Sequence, residues 1–140
     1  VIVQLPPDFI ERLVPELTKA GHREIGGVLV GEHLAEATFR VVDFSVQRSG
    51  GSVNCFVRQP AKHRRFLAVF FARTGRNFER YNYLGEWHSH PRHSSAAPSV
   101  ADAALLAYLA ETLAMDGVPA LMVIVGETDI SISLGEGAAA

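Results

Sequence analysis

The sequence predicts an α/β fold, a three-layer-like sandwich in which one mixed, mainly antiparallel sheet is flanked by helices. Three observations carry that prediction. Helical spacing alternates along the chain with runs rich in β-branched and aromatic residues, in the order helix, strands, helix, strand, helix, strands. The first two strand-like runs follow one another through a polar turn, as an antiparallel hairpin does. The run VPALMVIVG near the end is apolar throughout, which suits a strand covered on both faces. The 140 residues, 48% hydrophobic and 20% charged, suffice for one domain with a real core.

Pro6-Pro7-Asp8 followed by Phe9, Ile10, Leu13, Val14 and Leu17 predicts an amphipathic helix capped by Asp8 and ending at Gly21, kinked or divided at Pro15. EIGGVLVG from Glu24 and TFRVVDFSV from Thr38 predict two strands with a turn near 32–36. RSGGSVN from Arg48 predicts a loop. After Pro60, AKHRRFLAVFFARTG sets Phe66, Leu67, Val69, Phe70 and Phe71 among basic residues and stops at Gly75, a second helix. YNYLGEWHSHP is a strand stopped by Pro91, feeding a loop that runs to Pro98. A third helix is expected over 99–115. VPALMVIVG and the alternating DISISL close the fold as two strands, and GEGAAA is a frayed tail. One domain over 1–134 with a tail at 135–140 is expected, without internal repeats.

Charge and composition exclude several classes. A net charge of -2 and a pI near 6.3 give no field that draws nucleic acid or an anionic membrane. No apolar run reaches membrane-spanning length, and VIVQLPPDF lacks the basic start of a signal peptide. The single cysteine, Cys55, leaves no internal disulfide, so a reducing compartment, the cytoplasm, is expected. An opening Val in place of Met fits a domain taken from a longer chain. Seven of the thirteen Lys and Arg residues fall between Arg58 and Arg80, either the solvated side of a helix or a face for an acidic partner.

The chemistry concentrates in the second half. His88 and His90 alternate on a strand and so point to one face, where two imidazoles can close on one ion; two surface histidines at a strand end are the plain alternative. Ser99 and Asp102 form a helix-start signature resembling a capping box. The helix that follows, VADAALLAYLA, is apolar nearly all round, so Asp102 enters a buried setting where an ionised carboxylate needs a cation or several hydrogen bonds. Two neutral imidazoles and a carboxylate are a common catalytic zinc set that leaves the fourth position to water. Glu24, at the start of a strand whose Gly26 and Gly27 admit close backbone approach, is the candidate proton acceptor. Glu86 shares the face of the two histidines and is either a rival base or a residue that orients an imidazole.

Taken in order, EIGGVLVG, HSHP and PSVAD resemble the JAB/MPN domain with its JAMM metal motif, a cytidine-deaminase-like fold, and the resemblance spans nearly the whole chain. It implies zinc held by His88, His90 and Asp102, Glu24 as general acid/base and Ser99 as oxyanion donor. It implies cleavage of the peptide or isopeptide bond after the C-terminal Gly of a ubiquitin-like protein, in deconjugation or precursor maturation. Two departures stand out: eight residues separate His90 from Ser99 where the family usually has seven, which makes His93 a stray donor, and Glu86-Trp87 precedes the first histidine. Gly-Glu-Trp-His is similar to bacterial members encoded beside E1-like and E2-like proteins in antiviral defence operons, which implies such proteins as partners. Three rivals remain: a non-catalytic platform of the same fold, a cysteine hydrolase using Cys55 with His63, and a nucleic-acid module using the basic segment.

Overall fold

The computed structural model describes residues 1–48, 58–91, 94–114 and 118–135. Among these, six strands form one sheet: β1 (Ile2–Gln4), β2 (Gly26–Ala35), β3 (Thr38–Phe44), β4 (Tyr81–Ser89), β5 (Ala120–Val125) and β6 (Ile130–Gly135). Their spatial order is β1-β3-β2-β4-β5-β6. β1 runs parallel to β3 and β4 parallel to β5, while the other three pairings are antiparallel. The sheet is therefore mixed and mainly antiparallel, as predicted. Helices α1 (Phe9–Ala20), α2 (Pro60–Arg73) and α3 (Val100–Ala114) flank it.

Strand parity decides which helix covers which face. Trp87 is fully buried, packs edge-on to Phe44, and Phe44 meets Phe9 of α1. Its neighbours Glu86 and His88 point the other way and pair in register with Met122 and Ile124. Those two side chains pack with Ala96 and with Leu106 of α3. So α1 and α3 lie on opposite faces. A bulge in the β2–β4 pairing leaves Leu84 without a partner, since Leu29 pairs with Gly85 and Val30 with Tyr83. That extra residue restores Tyr83 to the face of Glu86 and His88. The bulge needs glycine at 85, where φ is +146° and a Cβ would lie 1.9 Å from the Leu121 carbonyl oxygen.

Three expectations are corrected. Pro15 does not divide the first helix, which is continuous over Phe9–Ala20. Pro15 and Glu11 are both exposed, so the Glu11 carbonyl that loses its helical donor faces water. Asp8 stands at the N-cap position without a side-chain capping bond. The hairpin turn also lies later than 32–36, because β2 continues to Ala35 and the chain reverses at Glu36 and Ala37. Glu32 is buried there between Arg40 and Arg80, and His33 stacks on Phe39 at 4.5 Å, so these polar residues are paired across strands. β1 is a strand the sequence reading omits: three residues are too few to show a period. The predicted loop after Arg48, Cys55, His93, Met115 and residues 136–140 of the predicted tail lie outside the described residues. Among the described residues no helix is long and apolar enough to cross a membrane.

Candidate metal centre

β4 and β5 are parallel and joined through α3, so their carboxyl ends emerge side by side, the place where α/β sheets gather ligand-binding groups. His88 is the next-to-last residue of β4, opposite Gly26, and His90 follows the strand end with its backbone N–H donating to the Val125 carbonyl at 3.0 Å. Asp102 comes from the first turn of α3. Ser99 caps that helix: the Asp102 N–H donates to Ser99 Oγ at 3.1 Å and the Ser99 N–H donates to Asp102 Oδ2 at 2.8 Å. This is a reciprocal capping box with Asp in the usual Glu place. The capping reading of Asp102 holds, and it leaves room for the donor reading, because one carboxylate oxygen serves the cap and both face the histidines.

Asp102 Oδ1 is 3.0 Å from His88 Nε2, and Oδ2 is 3.1 Å from His90 Nε2. Donor atoms of the three residues lie within 4.8 Å of one another, so the group can hold a metal ion. His90 Nδ1 is 2.7 Å from the Ser95 carbonyl oxygen, which only accepts, so Nδ1 carries the proton. In the neutral ring Nε2 then presents a lone pair to a carboxylate lone pair. A cation between them would satisfy that arrangement, and a backbone carbonyl fixing the imidazole in this way is the usual support of a metal-binding histidine. The residues therefore fit a divalent ion.

Electrostatics agree with that donor set. Burial lowers the His88 pKa against the opposing pull of Asp102, which keeps the ring neutral as ligation requires. Burial pushes the Asp102 carboxyl up, but the Ser99 N–H, the electrostatic pull of the His88 imidazole, the Ser99 hydroxyl and His90 together hold it below its ordinary value. Glu24, buried just before β2, has its pKa raised by burial, lowered by His90 and raised by Asp102, so its carboxyl lies within the field of the cluster. Ser99 is exposed, and its hydroxyl accepts from Asp102 while keeping its own proton to donate. A cleft of about 210 Å³ adjoins the cluster, lined by Leu17, Arg23, Ser89, His90, Val125 and Gly126 among others.

Glu86 is buried on the face of His88 as strand parity requires, but its Oε1 pairs with the Arg58 guanidinium. That ion pair engages Glu86 away from the imidazoles. His63 is also buried, between Ser45 Oγ at 2.6 Å from Nδ1 and Gln47 Oε1 at 3.0 Å from Nε2. Sequence reasoning missed Arg58, Ser45, Gln47 and the Ser95 carbonyl. Only Arg58 left a signal, as a cation in the chain's basic segment.

Comparison with known proteins adds to this geometry. The family model for prokaryotic homologs of the JAB domain matches residues 6–135. A CD-NTase/cGAS isopeptidase of Enterobacter hormaechei is 31% identical over 90 residues, covering 59% of this chain and 44% of that protein. The chain thus spans under half the length of that relative. The solution structure of a Desulfitobacterium hafniense protein aligns with TM-score 0.60 and 19% identity over 96% of this chain and 90% of that one. A JAB1/MPN domain protein from Archaeoglobus fulgidus aligns with TM-score 0.53 and 13% identity over 99% and 94%. At these identities the structural likeness is one of fold.

Proposed function

Because the chain belongs to the prokaryotic homologs of the JAB domain, we propose that it is a zinc-dependent hydrolase cleaving the bond after the C-terminal Gly of a ubiquitin-like protein. The bond is a peptide or an isopeptide bond, and the setting is a bacterial ubiquitin-like antiviral system with E1-like and E2-like partners. The observation that carries the reading is the convergence of His88, His90 and Asp102 with the His90 proton fixed on Nδ1. The isopeptidase relative supports the bond class. His88, His90 and Asp102 would hold the zinc, which when bound would supply Lewis acidity to the carbonyl and lower the pKa of the attacking water.

The protein's own groups do the rest. Glu24 accepts a proton from the attacking water and passes it to the departing amine nitrogen as the C–N bond breaks; the second water proton follows from the new carboxyl group, leaving a glycine carboxylate and an ammonium. Its raised pKa suits a group that must take up and then release a proton. Ser99 donates its hydroxyl proton to the developing oxyanion. Asp102 anchors the start of α3 and the two imidazoles together, so Ser99 and the histidines keep one geometry. Glu24→Gln is expected to keep zinc and lower turnover of a ubiquitin-like fusion by about 10² to 10⁴. Full activity in that variant, with zinc bound, would remove Glu24 from the mechanism.

A further inference from the structure

Five arginines of the described chain are paired with acids: Arg12 with Asp43, Arg40 and Arg80 with Glu32, Arg48 with Glu16, and Arg58 with Glu86. The cations of α2 are not. Lys62, Arg64 and Arg65 are exposed and have no ion pair among the described residues. No acid occurs anywhere from Pro60 to Asn77. Their position is also locally unfavourable. Lys62 sits in the first turn of α2, where the helix dipole favours anions, and no acid offsets it there. Lys62 and Arg65 are like charges three residues apart, which repel across one turn.

Lys62, Arg65, Val69 and Arg73, spaced three, four and four residues apart, fall on one stripe of the helix. His63 and Phe70 face the core beside that stripe, and Val69 stands 53% exposed in its middle. Val69 gives the stripe an apolar centre among its cations, and a chain of net charge -2 has no overall field that draws nucleic acid, so an acidic protein segment is the complementary occupant. The stripe begins next to Arg58, whose partner Glu86 precedes His88 by two residues on the same face of the sheet. Local rules broken by exposed, unpaired residues mark function more often than stability.

We propose that the stripe of Lys62, Arg65, Val69 and Arg73 on α2 is a docking surface for an acidic protein segment carrying an apolar side chain among its carboxylates. This goes beyond the hydrolase reading, and its test needs neither metal nor turnover. The full chain is titrated into a fluorescently labelled peptide of Glu and Leu, and separately into labelled oligodeoxythymidine of matched charge, at low and high salt. The peptide should bind the wild type with salt-sensitive affinity, and Lys62→Glu with Arg65→Glu should weaken it about tenfold or more. The same double variant should melt no lower than wild type, since acids in the first turns suit the dipole. Lys62→Gln with Arg65→Gln should weaken binding in the same direction by less, and Val69→Ser should weaken it with charge unchanged. Equal peptide binding by wild type and the charge variants overturns the proposal. So does tighter binding of the oligonucleotide than of the peptide.

Discussion

His63 shows how one buried side chain ties chemistry to stability. Burial first, and the neighbouring Arg58 charge second, lower its pKa, so the ring is neutral in the folded chain. Gln47 Oε1 accepts from both the Gln59 N–H and the ring, which leaves Nδ1 to accept from the Ser45 hydroxyl. Because the folded pKa lies below the ordinary value of about 6.5, the unfolded chain binds more protons between the two values. The stability from this site is full above about pH 6.5 and is lost as pH falls toward the folded value. Urea unfolding of wild type and His63→Gln between neutral and mildly acidic pH should show a shallower decline in the variant; parallel declines would place the titration elsewhere. His63→Leu, which takes from the Ser45 hydroxyl its acceptor and from Gln47 one of its donors, should cost about 1 to 3 kcal/mol. At this scale the candidate site divides cleanly. His88, His90, Asp102 and Ser99 were legible because strand parity and capping spacing are fixed by local geometry. The Ser95 carbonyl and the Ser45 and Gln47 partners were not, since each depends on how distant segments fold back.

Among the elements, β2 and β4 do most to bring Glu24 and His88 together. Gly26 pairs with His88, and the segment beyond β3 crosses so close to β2 that a Cβ on Gly27 would lie 2.0 Å from the Ser45 carbonyl oxygen. That carbonyl accepts from Trp87 Nε1 at 2.8 Å, while Ser45 Oγ accepts from the Val28 N–H at 3.0 Å. Backbone atoms occupy the space, so a side chain there cannot be accommodated by a rotamer change. Gly27→Ala should destabilise the chain by about 3 kcal/mol. A melting temperature within a degree or two of wild type, or so small a change in urea midpoint, would contradict the close approach. The two glycines were readable as a place of close contact, but Ser45 as the partner was not, because antiparallel pairing is visible in sequence while the path after it is not. The opposite error occurred at Glu32 and His33, where polar residues suggested a turn and the structure pairs them within the sheet.

For the whole molecule, the order of elements was enough to predict a mixed sheet between helices, and the family match over 6–135 agrees with it. Strand order was beyond reach from periodicity alone, and the three-residue β1 closes one edge without any sequence signal. What the fold accomplishes is to set the end of β4 and the start of α3 beside Glu24, so that donors from two segments share one small volume. A metal that binds there binds only the folded chain and therefore also stabilises it. The most direct test is metal content by mass spectrometry of the purified chain and of Asp102→Ala, each after zinc is added back. About one zinc per chain, lost in the variant, is expected from a three-donor site of this kind. No zinc in the folded wild type, or equal zinc in both proteins, would contradict a metal centre at His88, His90 and Asp102.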